Sequence, residues 1–113
     1  MLISIYHNSR CSKSRKALEI LKSKNKEINI IDYLQQGLTK DELKNICKKL
    51  NMKASELIRR KDLDSLDINL EDEAVCFTLL TDYPRLLERP IILQGERGII
   101  ARPAELLEEF LSE

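Results

Sequence analysis

Two rhythms of apolar residues alternate along this chain. Leu2 to Tyr6 (LISIY) is a short apolar run of strand length, and Ile28 to Ile31 (INII) is a second, β-branched one. Between them, Ala17, Leu18, Ile20 and Leu21 fall near helical spacing, with basic residues on the other face, so Ser12 to Lys24 reads as a helix. Gln35-Gln36-Gly37 is a break. Thr39-Lys40-Asp41-Glu42 then has the form of a capping box and opens a helix running to about Leu50. Ala54 to Arg60 reads as a further helical stretch, Asp62 to Asn69 as a loop or short turns, and Glu71 to Thr81 as a helix ended near Pro84. The strand rhythm returns at Pro90 to Gln94 (PIILQ). Gly95-Glu96-Arg97-Gly98 reads as a hairpin turn, with Ile99-Ile100-Ala101 as the partner strand. Arg102-Pro103 is expected to start a last helix, with proline near its first position, ending at about Leu111.

The order is βαβ, a mainly helical insert over about residues 34–87, then ββα. A strand–helix–strand unit of about thirty residues implies parallel strands joined by a right-handed crossover. This layout predicts an α/β fold of thioredoxin-like (glutaredoxin-like) type, a four-stranded mixed sheet with a helical insertion between its halves. At 113 residues, one domain spanning 1–113 is expected.

Composition narrows the function classes. The chain is 42% hydrophobic and 34% charged, with 19 basic and 19 acidic residues. Zero net charge leaves no general field to attract nucleic acid or an anionic membrane. Aromatics are 4%, with no tryptophan, which is poor material for base stacking. No apolar run has membrane-spanning length, and Met1 leads directly into a strand with no leader pattern. Three widely spaced cysteines, at 11, 47 and 76, fit neither a disulfide scaffold nor a cysteine-rich metal site. A cytoplasmic protein, with no metal and no membrane or nucleic-acid partner, is expected. A monomer is expected too.

Chemistry concentrates in Ile5-Tyr6-His7-Asn8-Ser9-Arg10-Cys11-Ser12-Lys13-Ser14-Arg15. Cys11 falls where a strand-to-loop turn meets a helix start. The positive end of the helix and its unpaired N–H groups favour thiolate there. The same N–H groups, with Arg10, Lys13 and Arg15 near in sequence, favour an oxyanion. Ser14 occupies the place of a second cysteine in a dithiol motif. Its hydroxyl is able to hydrogen-bond a thiolate but not to resolve a mixed disulfide, so redox chemistry in this loop is monothiol and draws on an outside thiol. His7, the sole histidine, either tunes the thiolate or orients the loop. Cys47 and Cys76 lie inside expected helices and read as core residues. Arg89-Pro90 and Arg102-Pro103 flank the hairpin. If the first strand ends at the same end of the sheet, both guanidiniums approach Cys11, and a planar fork suits an oxyanion. Arg59 and Arg60 sit on the insert, and on one helix only one of them can face the site.

Four blocks resemble the ArsC-type arsenate reductases coupled to glutathione and glutaredoxin. They are Tyr6-His7-Asn8-x-x-Cys11-x-x-Ser14-Arg15, Glu56-Leu57-Ile58-Arg59, Glu88-Arg89-Pro90-Ile91 and Ala101-Arg102-Pro103-x-Glu105. They occur in order across nearly the whole chain, which resembles the family's short members. The resemblance implies a thioredoxin-like fold with a helical insert. It implies that Cys11 attacks arsenate, that glutathione, as co-substrate, then releases arsenite, and that glutaredoxin regenerates the thiol. No bound cofactor is implied. Arg59, Arg89 and Arg102 match the family's oxyanion-binding arginines, so Arg59 is preferred over Arg60. His7, Ser14 and Arg15 match residues that support the thiolate and its loop. Analogy with the fold also places a cis peptide at Arg89–Pro90. Two alternatives stand beside this reading. One is a glutathione-dependent thiol reductase on the same site. The other is an Spx-like regulator that binds RNA polymerase, although Ser14 removes the Cys-x-x-Cys switch such regulators carry.

Overall fold

A four-stranded sheet runs in the order β2-β1-β3-β4 through the centre of the structure, a computed structural model that describes residues 2–24, 27–63 and 69–112. The elements are β1 (Ile3–Tyr6), α1 (Ser12–Ser23), β2 (Ile28–Ile31), α2 (Tyr33–Gln36), α3 (Lys40–Leu50), α4 (Glu73–Asp82), β3 (Ile91–Gln94), β4 (Arg97–Ile100) and α5 (Leu106–Ser112). β1 pairs parallel with β2 and antiparallel with β3, and β3 pairs antiparallel with β4. This is the mixed, thioredoxin-like α/β sheet expected from the strand–helix rhythm. Of the loop expected over Asp62 to Asn69, residues 64–68 lie outside the described residues.

Strand alternation divides the core into two layers. Ile3, Ile5 and Ile92 turn to one face, where Ala17 and Leu21 of α1 and Leu107 and Phe110 of α5 cover them. Tyr6, Ile91 and Leu93 turn to the other face. There they meet Tyr33, Leu43 and Ile46, together with Leu57, Leu79, Leu80, Leu86 and Leu87. The insert is therefore the second cover of the sheet. Each fully buried leucine there contributes roughly 1.5–3 kcal/mol of transfer free energy. Gly98 in β4 permits the close approach of α3. A Cβ at that position would lie 2.7 Å from Leu93 Cδ2 and 3.2 Å from Leu50 Cδ2.

Local signals explain most boundaries. Thr39 and Glu42 form the capping box, with Thr39 Oγ1 accepting from the Glu42 N–H at 3.1 Å and Glu42 Oε1 accepting from the Thr39 N–H at 3.1 Å. Asn51 closes α3 in the left-handed region, at φ 55°.

Four expectations differ from the structure. Gln35 and Gln36, expected in a break, belong to α2, and only Gly37 ends it, at φ 78°. Ala54 to Arg60 is not one helical stretch: a 3-10 turn covers Ala54–Leu57, and Ile58 then pairs with Leu87 in an antiparallel bridge. The hairpin turn holds only Gly95 and Glu96, since Gln94 pairs with Arg97. Gly95 supplies φ 62°, while Arg97 stacks over the Phe110 ring at 4.3 Å and donates to its carbonyl at 2.8 Å. Finally, Pro103 does not begin the last helix. The Arg102–Pro103 peptide is cis, as is Arg89–Pro90, and α5 begins at Leu106.

Candidate active site

Register places the site at one end of the sheet. Tyr6, the last residue of β1, pairs with Ile31 at the end of β2 and with Ile91 at the start of β3. Ile91 in turn pairs with Ile100 at the end of β4. The Cys11 loop, Arg89 and Arg102 therefore all leave the sheet at the same end. Arg59 arrives by a separate route. Its N–H donates to the Leu86 carbonyl at 2.6 Å and the Glu88 N–H donates to the Leu57 carbonyl at 2.7 Å, which sets Arg59 alongside the segment leading into Arg89. The bridge at Ile58 is thus the device that delivers this arginine.

Cys11 is the N-cap residue of α1, in extended conformation. The loop before it is held by short hydrogen bonds. The Arg10 N–H donates to Asn8 Oδ1 at 3.0 Å, the Cys11 N–H to the Asn8 carbonyl at 3.0 Å, and Arg15 Nη1 to the Ser9 carbonyl at 2.9 Å. Partial burial pushes the Cys11 thiol up. The N–H groups of Ser14 and Lys13 and the Arg89 guanidinium outweigh that effect, and the thiol ends below its ordinary value. The sulfur stops short of a formed capping hydrogen bond, so these groups favour the thiolate by proximity while leaving it free to react.

Ser14 is fully buried on α1, one turn before Ala17. Its Oγ lies 2.7 Å from His7 Nδ1 and accepts from the Asn8 N–H at 3.0 Å. The hydroxyl is thus turned to His7 and Asn8, and the backbone N–H of Ser14 is the group that bears on the sulfur. His7 is 9% exposed. Burial is the largest influence on its ring and lowers its pKa; Arg15 and Lys22 lower it further, against the opposing charge of Asp32. A neutral imidazole joined to Ser14 orients the loop.

Two of the arginines, Arg59 and Arg89, flank one carboxylate. Asp62 Oδ2 lies 3.5 Å from Arg59 Nε and 3.5 Å from Arg89 Nη1. Arg59 and Arg89 side chains are only 12% and 13% exposed, so both charges are largely stripped of water. Arg89 Nη1 also donates to the Arg85 carbonyl at 3.2 Å, and Arg102 Nη1 donates to the Arg89 carbonyl at 3.4 Å. Arg60 goes elsewhere, to a surface depression shared with Lys53 and Glu73, and its charge bears on Cys76. Cys47 is half-buried in α3 and its thiol is pushed up to about 11, first by burial and then by Glu73. Cys76 is buried in α4, donates to the Leu70 carbonyl at 3.2 Å, and is likewise raised, chiefly by burial. Among the described residues no group of three or more His, Cys, Asp or Glu is placed to hold a metal ion, and no helix is long and apolar enough to cross a membrane.

Among the described residues two buried donors have no hydrogen-bond partner, Arg89 Nε and the Tyr33 hydroxyl. Leaving such a group unpaired costs on the order of 1–3 kcal/mol. Sequence reasoning missed Tyr33 and Asp62. The signal for Tyr33 was an aromatic two residues past a parallel strand that ends beside the Cys11 loop.

A thioredoxin-like sheet thus carries Cys11 at a helix N-terminus, its thiol lowered, and brings two desolvated arginines to the same end. Residues 6–110 match the model of the ArsC family, and the chain belongs to that family. It is 37% identical, over 98% of its own length and 100% of the relative's, to a Haemophilus influenzae protein named arsenate reductase. It is 36% identical to YfgD of Escherichia coli K12, an uncharacterized protein, over 96% of each chain. The solved structure of arsenate reductase from Vibrio cholerae superposes with a TM-score of 0.85 at 29% identity, covering 96% of this chain and 97% of that one.

Proposed function

We propose that this protein is a cytoplasmic arsenate reductase that takes its electrons from glutathione and glutaredoxin. The observation that carries the reading is the placement of Cys11 as the N-cap of α1, at the sheet end where the β1–β3 register also brings Arg89, whose charge lowers the thiol. A low-pKa sulfur supplies the nucleophile, and the desolvated Arg59 and Arg89 supply the counter-charge an arsenate dianion needs. Arg102, held against the Arg89 backbone, completes the set.

The chemistry balances through thiols alone. The Cys11 thiolate forms a sulfur–arsenic(V) bond and an arsenate oxygen leaves as water. Glutathione then joins. As its sulfur bonds to Cys11, the sulfur pair surrenders two electrons to arsenic, which departs as arsenite. A glutaredoxin thiol attacks the glutathione sulfur of that mixed disulfide and returns Cys11 as thiolate. Ser14 fits this route, because its buried hydroxyl is committed to His7 and offers no second sulfur to intercept the intermediate. The absence of a Cys-x-x-Cys pair also argues against a redox-switched polymerase regulator.

Turnover of arsenate with glutathione and glutaredoxin tests the reading. Wild type is expected to exceed Cys11→Ser by at least about a hundredfold, the cost of losing a nucleophile. Equal rates would reject arsenate reduction. Cys11-dependent reduction of glutathione mixed disulfides without arsenate turnover would instead assign the site to a thiol reductase.

A further inference from the structure

Tyr33 opens α2, two residues beyond the point where β2 ends beside β1. Its ring is wholly buried between the sheet and the insert. The chain has three tyrosines, and their hydroxyls fare differently. Tyr6, on the same core face, donates to Glu42 Oε2 at 3.2 Å. Tyr83 is exposed. Among the described residues the Tyr33 hydroxyl is buried without a hydrogen-bond partner; the Asn8 amide lies near enough to lower its pKa. The charged groups that bear on it are those of the site: Arg89, Cys11 and Arg59. A second buried donor without a partner, Arg89 Nε, belongs to the same cluster.

A fold that satisfies Tyr6 but leaves Tyr33 unpaired among two guanidiniums and a nucleophilic sulfur has kept a donor for something that arrives. We propose that the Tyr33 hydroxyl is a substrate-contacting residue, donating a hydrogen bond to an oxygen of the tetrahedral oxyanion held between Cys11 and the arginines. The inference rests on the oxyanion reading of the site given above. Burial, the largest influence, together with the charge of Cys11, raises this phenol to about 12 against the pull of Arg89 and Arg59, so it remains a donor throughout the working pH range. It adds directional recognition of oxygen without adding charge, and it comes from the β2–α2 turn, a segment that carries none of the three arginines.

The test compares wild type with Tyr33→Phe, which keeps the ring and removes only the hydroxyl. Four quantities are measured: protection of Cys11 from alkylation by arsenate and by sulfate, kcat/KM for arsenate, the pH profile of Cys11 alkylation without oxyanion, and thermal unfolding. Loss of one hydrogen bond to an anion predicts oxyanion binding and kcat/KM weakened by about tenfold or more. The alkylation midpoint is expected to stay where it is, and the oxyanion-free melting temperature to be equal to wild type or higher, since an unpaired buried hydroxyl has been removed. Unchanged binding by Tyr33→Phe, while wild type is protected, would overturn the role of Tyr33 and leave the oxyanion site standing. A raised alkylation midpoint would mean that the hydroxyl serves the thiolate instead, and a lowered melting temperature with unchanged binding would make it structural. Absence of any protection in wild type would reject the oxyanion reading itself, and this inference with it.

Discussion

Asp62 Oδ2 stands 3.5 Å from Arg89 Nη1, and the same oxygen stands 3.5 Å from Arg59 Nε. One carboxylate thus balances two largely buried guanidiniums of the proposed anion site. Both separations are long for a charge-assisted hydrogen bond, which normally lies near 2.7–2.9 Å. Asp62 is itself 33% exposed, so water screens the pairs and each is worth roughly 0.2–1 kcal/mol. In the proposed function an incoming oxyanion competes with this carboxylate.

Asp62→Asn is therefore expected to bind arsenate or sulfate about two- to fivefold more tightly, in line with the loss of one screened ion pair. Protection of Cys11 from alkylation measures it. Weaker binding by Asp62→Asn would mean that the carboxylate holds the arginines in place rather than competing for them.

Arg59 and Arg60 are adjacent but differently placed, and they separate two explanations. Arg59→Ala is expected to lower kcat/KM for arsenate by about ten- to a hundredfold, as loss of a charged hydrogen bond would. Arg60→Ala, facing the Cys76 side, is expected to change it less than about twofold. Equal losses at both positions would point to a diffuse positive field rather than to a built site.

The thiols are expected to react in a fixed order. Cys11, lowered by Arg89 and the helix N–H groups, alkylates with a midpoint below that of a free thiol. Cys47, raised to about 11, and Cys76, also raised, react slowly until the protein unfolds. Rates followed residue by residue by mass spectrometry decide this. In Arg89→Ala the Cys11 midpoint moves upward; an unmoved midpoint would assign the activation to the helix alone.

His7 gives stability a defined pH dependence. Its folded-state pKa lies below the unfolded value of about 6.5. The unfolded chain therefore binds the proton first. The contribution from His7 is complete above about pH 6.5 and is lost as pH falls from there toward the folded pKa. Denaturant midpoints are expected to fall more steeply over that interval in wild type than in His7→Gln. Identical slopes would place the acid sensitivity elsewhere.

Where signals are local, the fold is legible in the chain. LISIY and INII bracket an amphipathic helix, and Thr39 with Glu42 marks the start of α3 by side-chain chemistry alone. Ile58 was misread because its partner Leu87 lies twenty-nine residues away, and no window around Ala54 to Arg60 contains the bridge. The helix expected at Pro103 gives way to tight turns, in which the Leu106 N–H donates to the Pro103 carbonyl at 3.1 Å and the Leu107 N–H to the Ala104 carbonyl at 3.0 Å, each three residues back. Cys11 and the Arg-Pro pairs were visible as motifs. Asp62 and Tyr33 carry no motif, and are brought toward the arginines and Cys11 only when the insert folds over the sheet. Ser14 was legible in part. Its spacing to Ala17 and Leu21 puts it on the buried face of α1, which turns its hydroxyl to His7 and its backbone to the sulfur.

The central claim is that Cys11 passes electrons from glutathione to arsenate, and a single turnover without glutaredoxin tests it most directly. Protein, arsenate and glutathione are mixed, arsenite is quantified, and each cysteine is mapped by mass spectrometry. About one arsenite per protein is expected, with a glutathione adduct on Cys11 alone, and neither in Cys11→Ser. Arsenite formed equally by Cys11→Ser, or an adduct on Cys47 or Cys76 in place of Cys11, would contradict it.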